Sequence, residues 1–406
     1  MLELRVRGTA YERGRQIGEA YAARLRLEID EGRARPLRGW TLDQAEAVVG
    51  NVLFAMLRHV PYYVEELRGL ADGAGIDIRD AFLLNTAPAY QPLRAAFAGG
   101  DGRAVGAVDD RSDGSGCTNL AIAEGAAGPV LVKTVDGTRP VTEDPQHLAE
   151  RYVFLRFEPA AGDEFLPYAM VCQPGRLWPE LGMNAAGLGA GQSSVPPLTG
   201  QRGHGIPVQW ILRPALERAR TARDAVELLA GLPMSGKGMN IGLVDAEGGA
   251  AGIEKSYDRQ AVFWPENGWV AVTNAYQSEV MAGALPSLHP ENSAARLRAI
   301  RSLFAGPLRD PASRTEAAAI ELLRFHATDP DHESICQHGG GHGDQMFTHH
   351  GFLLWPRARE VWASAGPPCR GPLERYHVRT GHGGPVEADP ASPAARPAVA
   401  AGGRAR

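Results

Sequence analysis

At 406 residues and 44% apolar, the chain is long enough to bury a large core. With 42 basic and 47 acidic residues the net charge is −5, which excludes the electrostatic footprint of a nucleic-acid or anionic-membrane binder and points to a small-molecule partner. Its 4 cysteines contain no C-x-x-C pair and are too sparse for a disulfide framework, so reduced thiols are expected.

The first residues alternate charge and apolarity and lack the apolar core of a secretory signal. No run is long enough to span a bilayer, so a cytoplasmic location is expected. The N-terminal part then reads as helical. Thr41-Leu-Asp-Gln44 has capping-box form ahead of the stripe Ala45, Val48, Val49, Leu53 and Met56. Pro61 opens a second core helix, with Val64, Leu67, Leu70 and Ala71 inward and Gly73 or Gly75 as its stop. From Pro88 to Gly116 the glycine and aspartate content predicts an exposed, mobile loop. Two alternating apolar runs follow, CTNLAIAE and GPVLVKTVD, and the turn-forming GAAG between them makes a hairpin.

Further strands are predicted over Arg151 to Pro159 and Pro167 to Cys172, then a glycine-rich segment, GMNAAGLGAGQSS. Pro207 opens a helix pair whose second member starts after Thr221. Strands return in MNIGLVDA, AAGIEKS, QAVFW and GWVAVTN. Two helices follow, from about Asn292 to Phe304 and from Ser313, where Ser-Arg-Thr-Glu316 has capping-box form, to about His326. MFTHHGFLLW and REVWASAG are the last predicted strands. From about Gly381 a Pro-, Ala- and Gly-rich tail without aromatics cannot offset its ordering entropy and is expected to be disordered. Strand groups separated by helix pairs suit an α+β sandwich, with helices outside two stacked sheets.

The chemistry centres on Gly116-Cys117, where the loop delivers a cysteine to the start of the hairpin. Glycine leaves its own carbonyl unshielded, so the thiol is placed to attack it and cut the chain, making Cys117 the new amino terminus. A freed α-amine, with an ordinary pKa of about 7.7 to 8.0, would then serve as the base, and no histidine is needed. The competing reading is a buried structural cysteine.

Gly116-Cys117-Thr118, Lys133-Thr134-Val135-Asp136 and Val272-Thr273-Asn274 together resemble the acyl-coenzyme A:6-aminopenicillanate acyltransferase family, self-processing cysteine enzymes of the N-terminal-nucleophile hydrolase fold. Supporting stretches run over most of the chain: GTAYERGRQIGEA, ELRGLADGAGIDIRDAFLLN, LGMNAAGLG, LVDAEGGAAGIEKS, Ser293-x-x-Arg296 and AGPPC near Gly366. The resemblance implies a four-layer αββα sandwich in which residues 1–116 form a helical subunit after cleavage and residues 117–380 the catalytic domain. It implies Cys117 as nucleophile, Asp136 as the group that orients the new ammonium or the thiol, and Asn274 as the oxyanion donor. An uncharged amide suits that last task because it stabilises developing negative charge. As a turn pair, Asp136-Gly137 has a plainer alternative, a carboxylate capping its own turn.

Lys133 stands where the related choloylglycine hydrolases carry arginine. Lysine can lower the thiol pKa or bind a substrate carboxylate, but it lacks arginine's bidentate fork. With Thr134 and Tyr276 it is assigned to substrate binding, and Ala275-Tyr276 replaces the family's usual histidine, altering the pocket. Relatives read Ile-Cys-Arg-His where this chain has Ile335-Cys336-Gln337-His338.

His338, His342, Asp344, His349 and His350 cluster in QHGGGHGDQMFTHH, but the spacing matches no standard metal site, and a glycine-rich loop plus strand is expected instead. No metal and no cofactor are called for. The reading is therefore an autocatalytically cleaved zymogen, a cysteine amidohydrolase or acyltransferase acting on a small N-acyl compound, with its own N-terminal fragment kept as a subunit. The alternatives are a Cys-His hydrolase without self-cleavage and a non-catalytic small-molecule-binding protein that keeps the fold.

Overall fold

The computed structural model describes residues 1–34, 42–86, 116–140, 142–195, 204–281, 290–327, 334–339 and 346–385. Apart from Gly116, the loop predicted over Pro88 to Gly116 lies outside them, as do the Thr41 cap, His342, Asp344 and residues 386–406.

The chain opens on a strand, β1 (Leu2–Gly8), and continues through helices α1 (Ala10–Ala34), α2 (Leu42–His59), α3 (Pro61–Ala74) and α4 (Ile78–Thr86). Proline takes a first-turn position of α3, where its missing N–H costs nothing, and Gly75 stops the helix at φ 63°. Helices α1 and α3 touch backbone to backbone: a Cβ on Gly14 or Gly18 would fall 1.9 or 2.3 Å from the carbonyl oxygens of Glu66 or Leu70. Reciprocally, one on Gly69 or Gly73 would meet Tyr11 or Arg15 oxygens at 2.0 or 2.2 Å.

After the hairpin β2 (Thr118–Ile122) and β3 (Val130–Thr138) come α5 (Pro145–Ala149), β4 (Val153–Pro159), β5 (Tyr168–Cys172), β6 (Leu181–Asn184) and β7 (Gly189–Val195). The last two occupy the glycine-rich segment. Next are β8 (Ile206–Pro207), α6 (Arg213–Arg218), α7 (Ala222–Ala230), β9 (Met234–Ser235), β10 (Gly238–Val244), β11 (Ala250–Lys255), β12 (Gln260–Phe263) and β13 (Trp269–Val272). The chain closes with α8 (Pro290–Ala305), α9 (Glu316–Leu323), β14 (Met346–Trp355), β15 (Glu360–Ser364), β16 (Leu373–His377) and β17 (Gly381–Pro385).

Three expectations need correction. Residues 1–116 are not all helical, because the alternation Leu2, Leu4, Val6 makes β1, which pairs in parallel with β4. The N-cap of α9 is Thr315, whose hydroxyl accepts from the Ala318 amide, while Ser313 sits in a 3₁₀ turn capped by Asp310; the helix ends at Leu323, short of His326. Gly381–Pro385 is not tail but an edge strand on β16.

One sheet runs β1-β4-β5-β6-β7-β10-β11-β12 and the other β13-β2-β3-β14-β15-β16-β17. Buried side chains divide into three apolar zones that fix the layers. Ile17, Leu67 and Leu70 on the helices meet Val153, Met170 and Ile241 on the outer face of the first sheet. Phe154, Val171 and Val244 on its inner face meet Leu131, Phe352 and Leu354 of the second sheet. Beyond that, Leu120, Val132 and Trp362 pack against Ile300, Phe304 and Leu322 of α8 and α9. The order is helix, sheet, sheet, helix. The hairpin alternates accordingly, with Ala121 and Leu131 turned to the inter-sheet core and Leu120, Val130 and Val132 to the helices. Each fully buried leucine in such a zone is worth roughly 1.5–3 kcal/mol.

The N-terminal elements are tied to the rest by more than apolar packing. Arg213 of α6 is fully buried and holds Glu66 of α3 as well as its own helix neighbour Glu217, 3.0 Å away. Tyr63 and Tyr168 both donate to Glu217, and Trp210 donates its indole N–H to the Asn85 carbonyl at 2.9 Å. Among the described residues no helix is long and apolar enough to cross a membrane.

Candidate active site

Register places the site. Thr118 of β2 pairs with Thr134 of β3, so continuing the ladder sets Gly116 opposite Asp136 at the end of the hairpin away from its turn. A cavity lined by Ala126, Trp355, Trp362 and Arg375 lies at the opposite, turn end and takes no part. Cys117 is buried, and its Sγ lies 3.9 Å from the Asp136 carbonyl oxygen.

The Asp136 carboxylate accepts three side-chain hydrogen bonds: from Thr134 Oγ1 at 2.9 Å, Gln337 Nε2 at 3.1 Å and Thr348 Oγ1 at 2.7 Å. Thr348 reaches it because the two are direct cross-strand partners on β14 and β3, and the ladder is irregular just beyond, between Thr348 and His350. Burial pushes the Asp136 carboxyl up to about 6, against the opposing pull of Arg296, Thr348, Lys133 and Thr134. Burial likewise pushes the Cys117 thiol above its ordinary value. The Lys133 charge opposes that rise and Asp136 and Glu180 add to it.

Gln337 makes a second contact, with Gly116. Its Nε2 donates to the Gly116 carbonyl oxygen at 3.1 Å, while its Oε1 accepts from Asn292 Nδ2 at 2.9 Å. Arg296, buried on α8, takes the next carbonyl: Nη1 donates to the Cys117 oxygen at 2.6 Å and to Thr118 Oγ1 at 2.9 Å. The same guanidinium donates through Nη2 to Asn274 Oδ1 at 3.1 Å and through Nε to Asn292 Oδ1 at 2.8 Å. Asn274 Nδ2 in turn donates to the Ser194 carbonyl at 2.7 Å. Arg296 thus links Cys117, just ahead of β2, to Asn274, two residues past the end of β13.

Of the residues singled out in the sequence, Gly116, Cys117, Thr134, Asp136 and, through Arg296, Asn274 share one buried network. Lys133 is fully buried and donates to the Thr134 carbonyl at 2.5 Å; no substrate carboxylate is needed to explain its position. Although Lys133 pulls the thiol down as expected, burial outweighs it and the net direction is upward. Tyr276 turns its hydroxyl to the Lys255 carbonyl at 3.1 Å, beside Gly238 of β10. Thr134 is a link between the Thr118 amide and Asp136.

Gln337, Arg296, Asn292 and Thr348 were not assigned roles from the sequence. Ser293-x-x-Arg296 and Ile335-Cys336-Gln337-His338 stand out in the sequence, but nothing in either stretch says that its polar residue points at position 116 or 117. Among the clustered histidines, His350 lies in the core between the Ser364 and Leu148 carbonyls, and burial lowers it to about 4. His338 instead meets three residues from other positions, His326, Cys336 and Cys369, with their donor atoms all within 4.8 Å of one another.

Residues 124–324 match a family model described as acyl-coenzyme A:6-aminopenicillanic acid acyl-transferase. That stretch contains Lys133, Asp136, Asn274 and Arg296 and begins just past Cys117. No sequence match is found among curated proteins. Solved structures with some likeness include an N-acylethanolamine-hydrolyzing acid amidase ortholog of Caenorhabditis elegans, at TM-score 0.39 and 12% identity over 59% of this chain and 93% of that one. A mutant conjugated bile acid hydrolase of Clostridium perfringens gives TM-score 0.41 and 9% identity over 67% and 97%. Penicillin V acylase of Agrobacterium tumefaciens gives 0.34 and 13% over 66% and 79%. These likenesses are too weak to bear on the fold or the chemistry.

Proposed function

We propose, from the premise that the chain belongs to the acyl-coenzyme A:6-aminopenicillanic acid acyltransferase family, that this enzyme of acyl transfer and amide hydrolysis uses Cys117 as its nucleophile after cutting its own chain at Gly116-Cys117. The observation that carries this reading is the contact of Gln337 Nε2 with the Gly116 oxygen, at 3.1 Å, beside a buried thiol.

In the first stage the Cys117 sulfur loses its proton and bonds to the Gly116 carbonyl carbon. Negative charge develops on the Gly116 oxygen, where the Gln337 N–H already points. The C–N bond then breaks and the Cys117 nitrogen leaves as an amine, taking up a proton and leaving Gly116 as a thioester on sulfur. Water hydrolyses the thioester, which gives a Gly116 carboxylate and a Cys117 that carries both a free thiol and an α-amine. Asp136, held by three donors, orients the new ammonium.

In the second stage the α-amine takes the thiol proton and sulfur attacks the carbonyl of an N-acyl substrate. The Asn274 amide stabilises the oxyanion, the amine leaves, and the acyl group remains as a thioester on Cys117. Water is the favoured acceptor, because neither a phosphate-binding signature nor a basic patch for a coenzyme A tail is evident in the sequence. The substrate is a small N-acyl compound. The N-terminal fragment stays attached through β1 and the Glu66–Arg213 contact.

The test is mass spectrometry of purified protein. Wild-type chains should separate under denaturing conditions into residues 1–116 and 117–406, and Cys117→Ala should stay whole. An intact wild-type chain that hydrolyses an N-acyl substrate would overturn self-cleavage, and full activity in Cys117→Ala would overturn the nucleophile.

A further inference from the structure

We propose that His326, Cys336, His338 and Cys369 form a tetrahedral Cys₂His₂ site for a zinc-class divalent ion. The four residues come from three separate stretches: the end of the segment after α9, the turn before β14 and the loop after β15. Cys336 Sγ is 3.7 Å from Cys369 Sγ and 3.6 Å from His338 Nε2, and Cys369 Sγ is 3.2 Å from His338 Nε2. A zinc ion with bonds of about 2.3 Å to sulfur and about 2.0–2.1 Å to nitrogen sets tetrahedral edges of roughly 3.8 Å between sulfurs and roughly 3.6 Å from sulfur to nitrogen. The three edges among Cys336, His338 and Cys369 are 3.2–3.7 Å, and all four donor atoms lie within 4.8 Å of one another. A disulfide would instead need the sulfurs at about 2.05 Å.

The surrounding backbone holds the stretches in register without the ion. The Phe325 carbonyl accepts from both the Ile335 and Cys336 amides at 3.1 Å, tying the residue before His326 to Cys336. Arg324 Nε donates to the Pro368 carbonyl at 3.0 Å, next to Cys369. Cys336 is buried while His326 and Cys369 reach the surface, which gives an ion an entry path. Soft thiolates with imidazoles select zinc over magnesium or calcium, and a complete set of four protein ligands marks a structural site rather than a catalytic one. Two ligands flank Gln337, so the ion would fix the turn from which Gln337 reaches Gly116.

The experiment measures zinc in the full-length protein, purified without chelator and again after chelation and reloading with zinc(II) alone. One equivalent per chain is expected. Cys369→Ser and His326→Asn, both at exposed positions and therefore compatible with folding, should weaken zinc binding by more than the roughly 10- to 100-fold that loss of an outer-sphere partner costs. Cys172→Ala, a buried thiol in another layer, should retain the metal. Cobalt(II) should give the intense visible bands of a tetrahedral thiolate site in the wild type and lose them in Cys369→Ser. Wild-type protein with no stoichiometric zinc, equal zinc in all variants, or a Cys336–Cys369 disulfide would overturn the proposal. Metal content is read independently of chain cleavage, so this result and that of the proposed maturation can fail separately.

Discussion

Replacing Gln337 by methionine keeps the length of the side chain and removes its amide. The Gly116 oxygen loses its 3.1 Å donor, and Asp136 keeps two of its three side-chain partners, Thr134 and Thr348. Loss of one donor to a developing oxyanion slows a reaction by about 10²–10³, or about 2.7–4 kcal/mol of barrier. A second cost falls on folding: Asn292 loses its bond to Gln337 Oε1, and a buried hydrogen bond is worth about 0.5–1.5 kcal/mol. The two effects are separable. Cleavage is followed by intact mass after a pulse of synthesis, at a temperature well below melting, and stability is measured by urea unfolding of Cys117→Ala with and without Gln337→Met. The expected result is slow accumulation of the same two fragments from a chain that still folds. Cleavage in Gln337→Met within about threefold of wild type would refute the oxyanion assignment, because no loss of stability alone leaves the rate untouched in that way.

Lys133→Met should move alkylation of Cys117 by iodoacetamide to higher pH, since the lysine charge opposes the rise that burial imposes on the thiol; an unchanged profile would remove Lys133 from the site. Burial pushes the Asp136 carboxyl up to about 6 in the folded chain, against about 3.9 unfolded, so between those values the folded chain holds the extra proton and stability falls as pH rises. The loss should reach roughly 3 kcal/mol at most, and Asp136→Asn should escape it. Measured in the uncleaved Cys117→Ala chain, its stability relative to Cys117→Ala alone should therefore improve between pH 4 and pH 7, and a difference independent of pH would contradict the burial argument.

How much of this was legible depended on the range of the interactions. The hairpin, the α3 stop at Gly75 and the strands β4, β5 and β10 to β15 follow local pattern and turn chemistry, so two stacked sheets between helices could be read directly, whereas β6, β7, β16 and β17 carry too little alternation to announce themselves. β1 was missed because its single turn-free alternation has only one fully buried residue, Val6, and its partner β4 lies far along the chain. Gly116 and Asp136 could be brought together by counting along a hairpin. Gln337 could not, since its contact with Gly116 spans 221 positions and no local period encodes it. The histidine-rich stretch shows the same limit: its spacing gave no metal geometry, whereas the set that converges takes only His338 from it and draws Cys369 from 31 positions away.

The parallel pairing of β1 with β4 has a consequence for the order of assembly. The first strand cannot find its neighbour until Val153–Pro159 has been made, and Glu66 waits for Arg213, 147 positions later. Folding is therefore a late, non-local event in the life of the chain. If the Gly116-Cys117 bond is then cut, the connection that made those encounters intramolecular is gone. A denatured, cleaved molecule would have to recover its native state by the meeting of two polypeptides, at a rate that depends on concentration, and its persistence would be governed by how slowly it unfolds rather than by a reversible equilibrium.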